Sequence, residues 1–332
     1  MRVAITGASG NVGTSLLRVL SADDTVDEIV GIARRTPQLR FDKTTWVSAD
    51  VARDDLAGAF AGADAVVHLA WLIQPSRDRA TTRAVNVDGS RRVFEAAVAA
   101  GVPALVHASS VGAYSPGPKD RFVDESWPTG GIRTSFYSRD KSDVERILDD
   151  VELANPQLRV VRLRPALIFK AEAASGIRRL FAGPLLPNAL LHRGLIPIVP
   201  AMERLRFQGV HSLDIAEAYR LAVVSDVRGA FNIAADPVLD PPELGRLLGA
   251  KPVPVSPRVL RTIVDASWKL RLQPTPSGWL DMALGVPLMD VTRAREQLGW
   301  TPTTSAGAAL LELIDAMRRG EGIETPPLHA GG

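Results

Sequence analysis

The sequence has no cysteine, which removes thiol nucleophiles, disulfide frameworks, iron–sulfur clusters and thiolate zinc sites. Histidine is also scarce, at five residues. His192 and His329 have no carboxylate or histidine partner at metal-ligand spacing, and His68 and His107 fall inside apolar strand patterns, so no metal site is expected. Long apolar runs are missing too. A membrane helix needs roughly 18 consecutive apolar residues, and the nearest stretch, 185–200, is broken by His192, Arg193 and three prolines. At the N-terminus the apolar run meets Thr6-Gly7 after three residues, short of the roughly 7–15 of a secretory segment. A soluble, cytoplasmic protein without a membrane partner is therefore expected. Charge of one sign is lacking as well: 39 basic residues face 37 acidic ones, for a net charge of +2. Like charges form no long runs, and basic residues are not interleaved with aromatics, so no nucleic-acid partner is expected.

What is present is an alternation of short β-branched runs and longer amphipathic ones. Strands are expected around Val3 to Ile5, Glu28 to Ile32, Trp46 to Ser48, Ala65 to Leu69, Ala104 to His107 and Val160 to Leu163. Between them, helices are expected at Gly13 to Leu20, Val87 to Ala100 and Tyr137 to Leu148. Strand and helix at this spacing imply parallel pairing with right-handed crossovers, hence an α/β, Rossmann-type doubly wound parallel sheet. After Pro165 the period loosens. Residues 209–235 return to a helix and a strand, whereas 171–208 and 236–322 read as a smaller, interrupted C-terminal substrate domain. Residues 1–170 then form the dinucleotide-binding part, and 323–332 a loose tail.

Three local features carry chemistry. The first is Thr6-Gly7-Ala8-Ser9-Gly10-Asn11-Val12-Gly13, which follows a strand and opens a helix. Glycine there permits a tight turn and lets backbone N–H groups approach a pyrophosphate at the helix N-terminus. Cofactor contacts are expected at Gly7, Ser9, Gly10, Asn11, Val12 and Gly13; the plainer alternative is an ordinary strand–helix connection. The second feature is Ala33-Arg34-Arg35 at the end of the second strand. An NAD site usually places a carboxylate there for the ribose 2′-hydroxyl, whereas arginine suits a 2′-phosphate. Arg34 and Arg35 therefore favour NADP, with NAD the alternative and two solvated surface arginines the plain reading.

The third feature is Tyr137-Ser138-Arg139-Asp140-Lys141. Four-residue spacing puts Tyr137 and Lys141 on one helix face, where an ammonium can lower a phenol pKa from its ordinary ~10 towards working pH. Three tyrosines and six lysines in 332 residues predict only about 0.05 such pairs by chance. Ser109-Ser110 follows the fifth strand, at the carboxyl edge of the sheet where ligands of such sheets bind.

Together these residues resemble the extended short-chain dehydrogenase/reductases, the NAD(P)-dependent epimerase/dehydratase family, over nearly the whole chain. The resemblance assigns Ser110, Tyr137 and Lys141 as catalytic and adds cofactor contacts at Asp50, Val51, Leu69, Ala70, Asn86 and Pro165. It implies that Lys141 binds the nicotinamide ribose and depresses the Tyr137 pKa, that Tyr137 moves a proton on or off the substrate oxygen, and that Ser110 polarises that oxygen. His211 to Asp214 fits a helix entry of the family, with Asp214 expected as helix N-cap, and Leu298-Gly299-Trp300 fits its C-terminal signature.

Departures from the pattern narrow the reading. Family dehydratases carry an Asp-Glu pair where this chain has Val111 and Gly112, which argues against elimination. Many family epimerases place an arginine where this chain has Phe207, with Arg206 beside it, and the usual glycine after the sixth strand is replaced near Phe169-Lys170. Trp71, Gln74, Tyr114 and Phe169 follow strand ends and are candidate contacts for a small-molecule substrate. Val93, Phe94, Ala97 and Val98 suit either the core or a homodimer interface. The expected activity is an NADP-dependent reductase or dehydrogenase working by hydride transfer at a secondary alcohol or ketone carbon. A nucleotide-sugar epimerase is the alternative, and a non-catalytic dinucleotide-binding sensor is a second one.

Overall fold

Seven short, largely apolar runs pair side by side, all parallel, into the central sheet. In chain order they are β1 (Arg2–Thr6), β2 (Glu28–Ala33), β3 (Thr44–Ser48), β4 (Ala65–His68), β5 (Ala104–Ala108), β6 (Arg159–Pro165) and β7 (Gly229–Ile233). The computed structural model describes residues 1–74, 76–181, 197–325 and 327–328. Strand order across the sheet is β7-β6-β5-β4-β1-β2-β3. A parallel sheet needs crossovers that cover both faces, so its inner strands carry near-continuous apolar runs. Val3, Ala4 and Ile5 of β1 and Ala65, Val66 and Val67 of β4 are accordingly fully buried.

Four helices supply the cover. α1 (Asn11–Ser21) and α4 (Ser212–Val224) pack on one face, burying Leu16, Leu17 and Tyr219 against Phe231 of β7. α2 (Gly89–Ala99) and α3 (Phe136–Ala154) pack on the other, burying Phe94, Val144 and Leu148. Val93, Phe94 and Ala97 thus belong to the core, while Val98 is half-buried. Progression reverses between β1 and β4, and the crevice at that switch point lies at the carboxyl ends of the strands. The α/β class and the doubly wound parallel sheet are as the sequence implies.

The smaller lobe grows from the chain after β6. Leu167–Phe169, Phe207–His211 and Ala235–Leu239 form a three-stranded sheet, with the helices Pro241–Leu248 and Ala306–Arg319 closing a separate core around Leu239, Leu244 and Leu313. Residues 236–285, which show no clean period, nonetheless contain three helices, Pro241–Leu248, Pro257–Lys269 and Gly278–Gly285. Prolines in the first turn of two of them mask the helical signal, although proline is tolerated there because those N–H groups have no helical partner.

The helix entry differs from expectation. His211, not Asp214, caps α4, its Nδ1 accepting from the Leu213 N–H. Asp214 lies one turn inside, where its carboxylate accepts from the Thr303 N–H and hydroxyl and from the Thr304 N–H, and its carbonyl accepts from the Trp300 indole. The C-terminal signature is therefore a strap fastened to α4. Within 323–332, Thr325 and Leu328 are buried; His192, His329 and most of the 185–200 stretch lie outside the described residues.

Candidate active site

The glycine turn is forced by close approach. Gly7 has φ +74°, and a Cβ there would lie 2.7 Å from the Ala70 nitrogen. A Cβ at Gly13 would lie 2.5 Å from the carbonyl oxygens of Gly7 and Ala8. Gly10 caps α1 with no side-chain oxygen on the first-turn N–H groups, leaving them to an acceptor from outside. One pocket runs along this edge of the sheet. It is lined by Gly7, Ser9 and Gly10, by Arg34 and Arg35 after β2, by Asp50 and Val51 after β3, and by Leu69 and Ala70 after β4. Trp71, Leu72, Val85 and Pro327 also line it. Pro327 comes from the far end of the chain, which no local motif could indicate.

The remaining expected contacts lie around that pocket. Asn11, Val12 and Gly13 form the first turn of α1 behind it. Asn86 is fully buried, and its side-chain amide both donates to the Leu72 carbonyl and accepts from the Leu72 N–H, so it reaches the pocket only by fixing that segment. Pro165 is buried at the end of β6, paired with Ile233. Arg34 and Arg35 are exposed at the mouth, and neither guanidinium has an ion-pair partner among the described residues. A glycine cradle that a Cβ would fill, open helix N–H groups and two unpaired arginines fit a dinucleotide.

Ser110, Tyr137 and Lys141 meet at the end of β5. The Ser110 Oγ accepts from the Gly112 N–H at 3.0 Å and hydrogen-bonds the Tyr137 phenol. Burial pushes that phenol above its ordinary value of 10, and the Ser110 bond opposes the rise. Lys141 does not supply the expected depression. Its Nζ donates to the Ala108 carbonyl at 2.6 Å and sits 3.5 Å over the Trp71 ring, so it is held away from the phenol oxygen, and burial lowers its own pKa to about 7. A Cβ at Gly112 would stand 2.8 Å from the Tyr137 ring. The second position of the family's dehydratase Asp-Glu pair is thus crowded by the Tyr137 ring.

Two turns of α3 beyond Tyr137, Glu145 anchors the helix to the sheet. It accepts from Arg164 at 2.9 and 3.0 Å, from Arg162 at 3.2 Å and from the Ser109 hydroxyl. Arg164 also donates to the Tyr114 hydroxyl at 3.0 Å, and that hydroxyl donates to Asn232 Oδ1. Tyr114 is thus a fully buried structural residue and not a cleft contact, and Phe169 is buried in the core of the smaller lobe. Lys170, in place of the usual glycine, donates to the Thr14 hydroxyl and pairs with Glu172 at 2.7 Å, tying that lobe to α1. His68 and His107 stack in the core with ring centroids 5.5 Å apart; burial drives His68 down to about 3, so both are neutral.

Aromatic side chains flank the phenol. Trp71 meets the Tyr137 ring edge-on at 5.8 Å, and Trp279, from the helix Gly278–Gly285, lies 4.9 Å away at 36°. Gln74 and Ser76 both donate to the Pro274 carbonyl, clasping the segment after β4 to the smaller lobe. Trp279 has no sequence signal pointing to this place, because nothing in spacing or motif links it to α3. Among the described residues, no His, Asp and Glu side chains group as a metal site, and no helix is long and apolar enough to cross a membrane.

The fold and the glycine turn are of the extended short-chain dehydrogenase/reductase type. The sequence profile of the NAD dependent epimerase/dehydratase family matches residues 3–234, and the chain belongs to that family. An uncharacterized protein of Mycobacterium tuberculosis is 30% identical over 323 residues, covering 96% of this chain and 30% of that protein. The chain therefore spans under a third of the first curated relatives it matches. An L-arabinose 1-dehydrogenase (NAD(P)(+)) of Haloferax volcanii is 38% identical over 110 residues, 33% of this chain and 41% of that enzyme. Among solved structures, MoeE5 in complex with UDP-glucose and NAD aligns at TM-score 0.68 and 21% identity over 96% of this chain and 99% of its own. The UDP-glucose 4-epimerase of Thermus thermophilus, complexed with NAD, aligns at TM-score 0.69 and 20% identity over 96% and 99%. Likeness at that identity speaks for the fold.

Proposed function

We propose that the chain is an NADP-preferring reductase or dehydrogenase that interconverts a ketone and a secondary alcohol, with Tyr137 as acid and base. The observation that carries this reading is the buried Tyr137 phenol, hydrogen-bonded to Ser110 beside the Lys141 ammonium. A phenol held above its ordinary pKa is protonated at neutral pH, the state needed to give a proton to a carbonyl oxygen. Bound in the cradle, a nicotinamide dinucleotide would supply the hydride that the carbonyl carbon gains as its oxygen takes the Tyr137 proton. Ser110 donates to that oxygen and holds it against the phenol. Lys141, held at the end of β5 by the Ala108 carbonyl, would hydrogen-bond the nicotinamide ribose hydroxyls of a bound dinucleotide. Arg34 and Arg35, exposed and unpaired among the described residues, favour a 2′-phosphate and hence NADPH over NADH.

The second reading is an epimerase acting on a nucleotide sugar, favoured by relatives such as the UDP-glucose 4-epimerase of Neisseria meningitidis serogroup C, 30% identical over 177 residues. Absorbance of the reduced nicotinamide separates the two. Net loss of NADPH with a carbonyl substrate marks a reductase; sugar interconversion without net loss marks an epimerase. Tyr137→Phe should lower turnover by at least ~10²-fold, the usual worth of a positioned acid, while leaving dinucleotide affinity unchanged. Undiminished turnover in that variant would remove Tyr137 from the mechanism.

A further inference from the structure

Lys141 is shut off from the dinucleotide pocket by an indole. The lysine is 3% exposed. Its Nζ has the Ala108 carbonyl at 2.6 Å and the centre of the Trp71 ring at 3.5 Å. Trp71 also lines the pocket that contains the glycine turn, Arg34 and Arg35, whereas no residue of α3 lines it. The indole therefore stands between that pocket and the lysine, with one face on the ammonium, and it meets the Tyr137 ring edge-on at 5.8 Å.

A ribose hydroxyl must come within about 3 Å of an ammonium to accept from it. With the indole on Nζ and the lysine buried, an oxygen in the pocket does not reach that distance until one wall moves. Ala108 is fixed in β5, inside the sheet, where it pairs with Leu163. Tyr137 is held by its bond to Ser110 and packed by Gly112 and Trp279. Trp71 is the wall least restrained. It lies in irregular chain after β4, and its Nε1 is buried without a hydrogen-bond partner among the described residues. A buried donor left unpaired works against the position that buries it. The backbone on either side is fixed, because Ala70 lies against Gly7 and Leu72 gives both its N–H and its carbonyl to the Asn86 amide. Movement is thus confined to the torsions of the Trp71 side chain.

Resting on the dinucleotide-dependent reading above, we propose that Trp71 is a gate, whose indole caps the Lys141 ammonium until a dinucleotide enters and then swings aside to give the ribose hydroxyls access to it. The cap is held by a cation–π contact away from water, for which tryptophan offers the best face. A dinucleotide opens it by binding the open form better than the closed one. Its apparent affinity is lowered by the fraction of the protein that is closed.

The test uses the full chain labelled with 5-fluorotryptophan, in which Trp71→Phe identifies the Trp71 fluorine resonance. Saturation with NADP⁺ should move that resonance and leave the one from Trp300, buried against α4, in place. Calorimetry should show NADP⁺ bound about 2- to 30-fold more tightly by Trp71→Ala, the closed population that one cation–π contact sustains, with Trp71→Phe in between. Without dinucleotide, reductive methylation read by mass spectrometry should modify Lys141 faster in Trp71→Ala than in the unmodified protein. Weaker NADP⁺ binding in Trp71→Ala would make the indole a wall of the bound cofactor and overturns the gate. Lys141 methylation indifferent to the substitution overturns it as well. NADP⁺ bound with the Trp71 resonance unmoved overturns the gate alone, whereas failure to bind either NADP⁺ or NAD⁺ overturns the dinucleotide reading and this inference with it.

Discussion

Replacing Glu145 by glutamine tests how the active-site helix is held. Glu145 is 1% exposed and is the carboxylate that Arg164 grips, donating Nε to one oxygen and Nη2 to the other. The amide keeps the shape and deletes the charge. Arg162 retains Asp149 and Glu152, so the loss falls on Arg164, whose other partners, the Tyr114 hydroxyl and the Glu125 carbonyl, are neutral. Removing one partner of a buried ion pair costs roughly 3–5 kcal/mol, and glutamine, which still accepts a hydrogen bond, belongs at the lower end. With unfolding entropy of about 2.1 cal/mol/K per residue, a chain of this length loses about 4–5 °C in Tm for about 3 kcal/mol.

The pH dependence gives the same prediction a second edge. Burial raises the Glu145 pKa, but Arg164 and the other donors outweigh it, and the group ends below its ordinary 4.5. A depressed carboxylate adds stability that is fully present above the unfolded pKa and is lost as pH falls through the folded one. The Tm gap between the unmodified protein and Glu145→Gln should therefore be widest near neutrality and narrow below about pH 4. Calorimetric scans from about pH 3 to 8 would measure it across that window. An unchanged Tm at neutral pH, or a gap that persists undiminished in acid, would refute the account. Pairing the change with Arg164→Met should restore part of the loss, because an apolar replacement of both partners is often tolerated where a lone buried charge is not.

Two further outcomes concern the dinucleotide. Arg34→Ala should weaken NADPH binding by about 10-fold, the value of one charge-assisted hydrogen bond, and leave NADH unchanged; equal affinities for the two in the unmodified protein, by calorimetry, would return Arg34 and Arg35 to ordinary solvated surface. Gly13→Ala puts a Cβ 2.5 Å from two carbonyl oxygens and should reduce affinity for both dinucleotides with the circular dichroism spectrum retained, whereas a fully binding variant would disconnect the turn from the cofactor.

What the sequence discloses and what it hides follow the range of the interactions. The strands β1, β2, β4 and β5 and the helix α3 are visible because burial on two faces or one stripe imposes a period on adjacent residues. Gly7, Gly10 and Gly13 are visible because steric contact within one turn demands glycine at fixed spacing. Tyr137 and Lys141 are visible because one helix face joins them. Trp279 and Pro327 are not, since each reaches the site through a chain path that leaves no periodic trace. Tyr114 misleads for a related reason: it follows a strand end, as a cleft residue does, yet its hydroxyl turns inward to Arg164 and Asn232. Asp214 has the composition of an N-cap, but the cap falls to His211 because Thr303 and Thr304 claim the carboxylate.

The four-residue repeat on α3 carries more than a catalytic pair. Tyr137, Lys141 and Glu145 share one face of the same helix and are all largely buried, yet burial acts on each differently. The phenol has only a neutral hydroxyl to oppose desolvation, so it stays protonated. The ammonium has a carbonyl and an indole face but no contacting carboxylate, so its pKa falls to about 7. The carboxylate has guanidinium partners, so it stays ionised despite the deepest burial of the three. One helix thus presents, two turns apart, a fixed acid and a fixed base form, with a group between them that can change state near neutral pH. Lys141→Met would keep the helix and remove the middle group, so the fold should persist, with the circular dichroism spectrum retained, while the ionisation near pH 7 disappears.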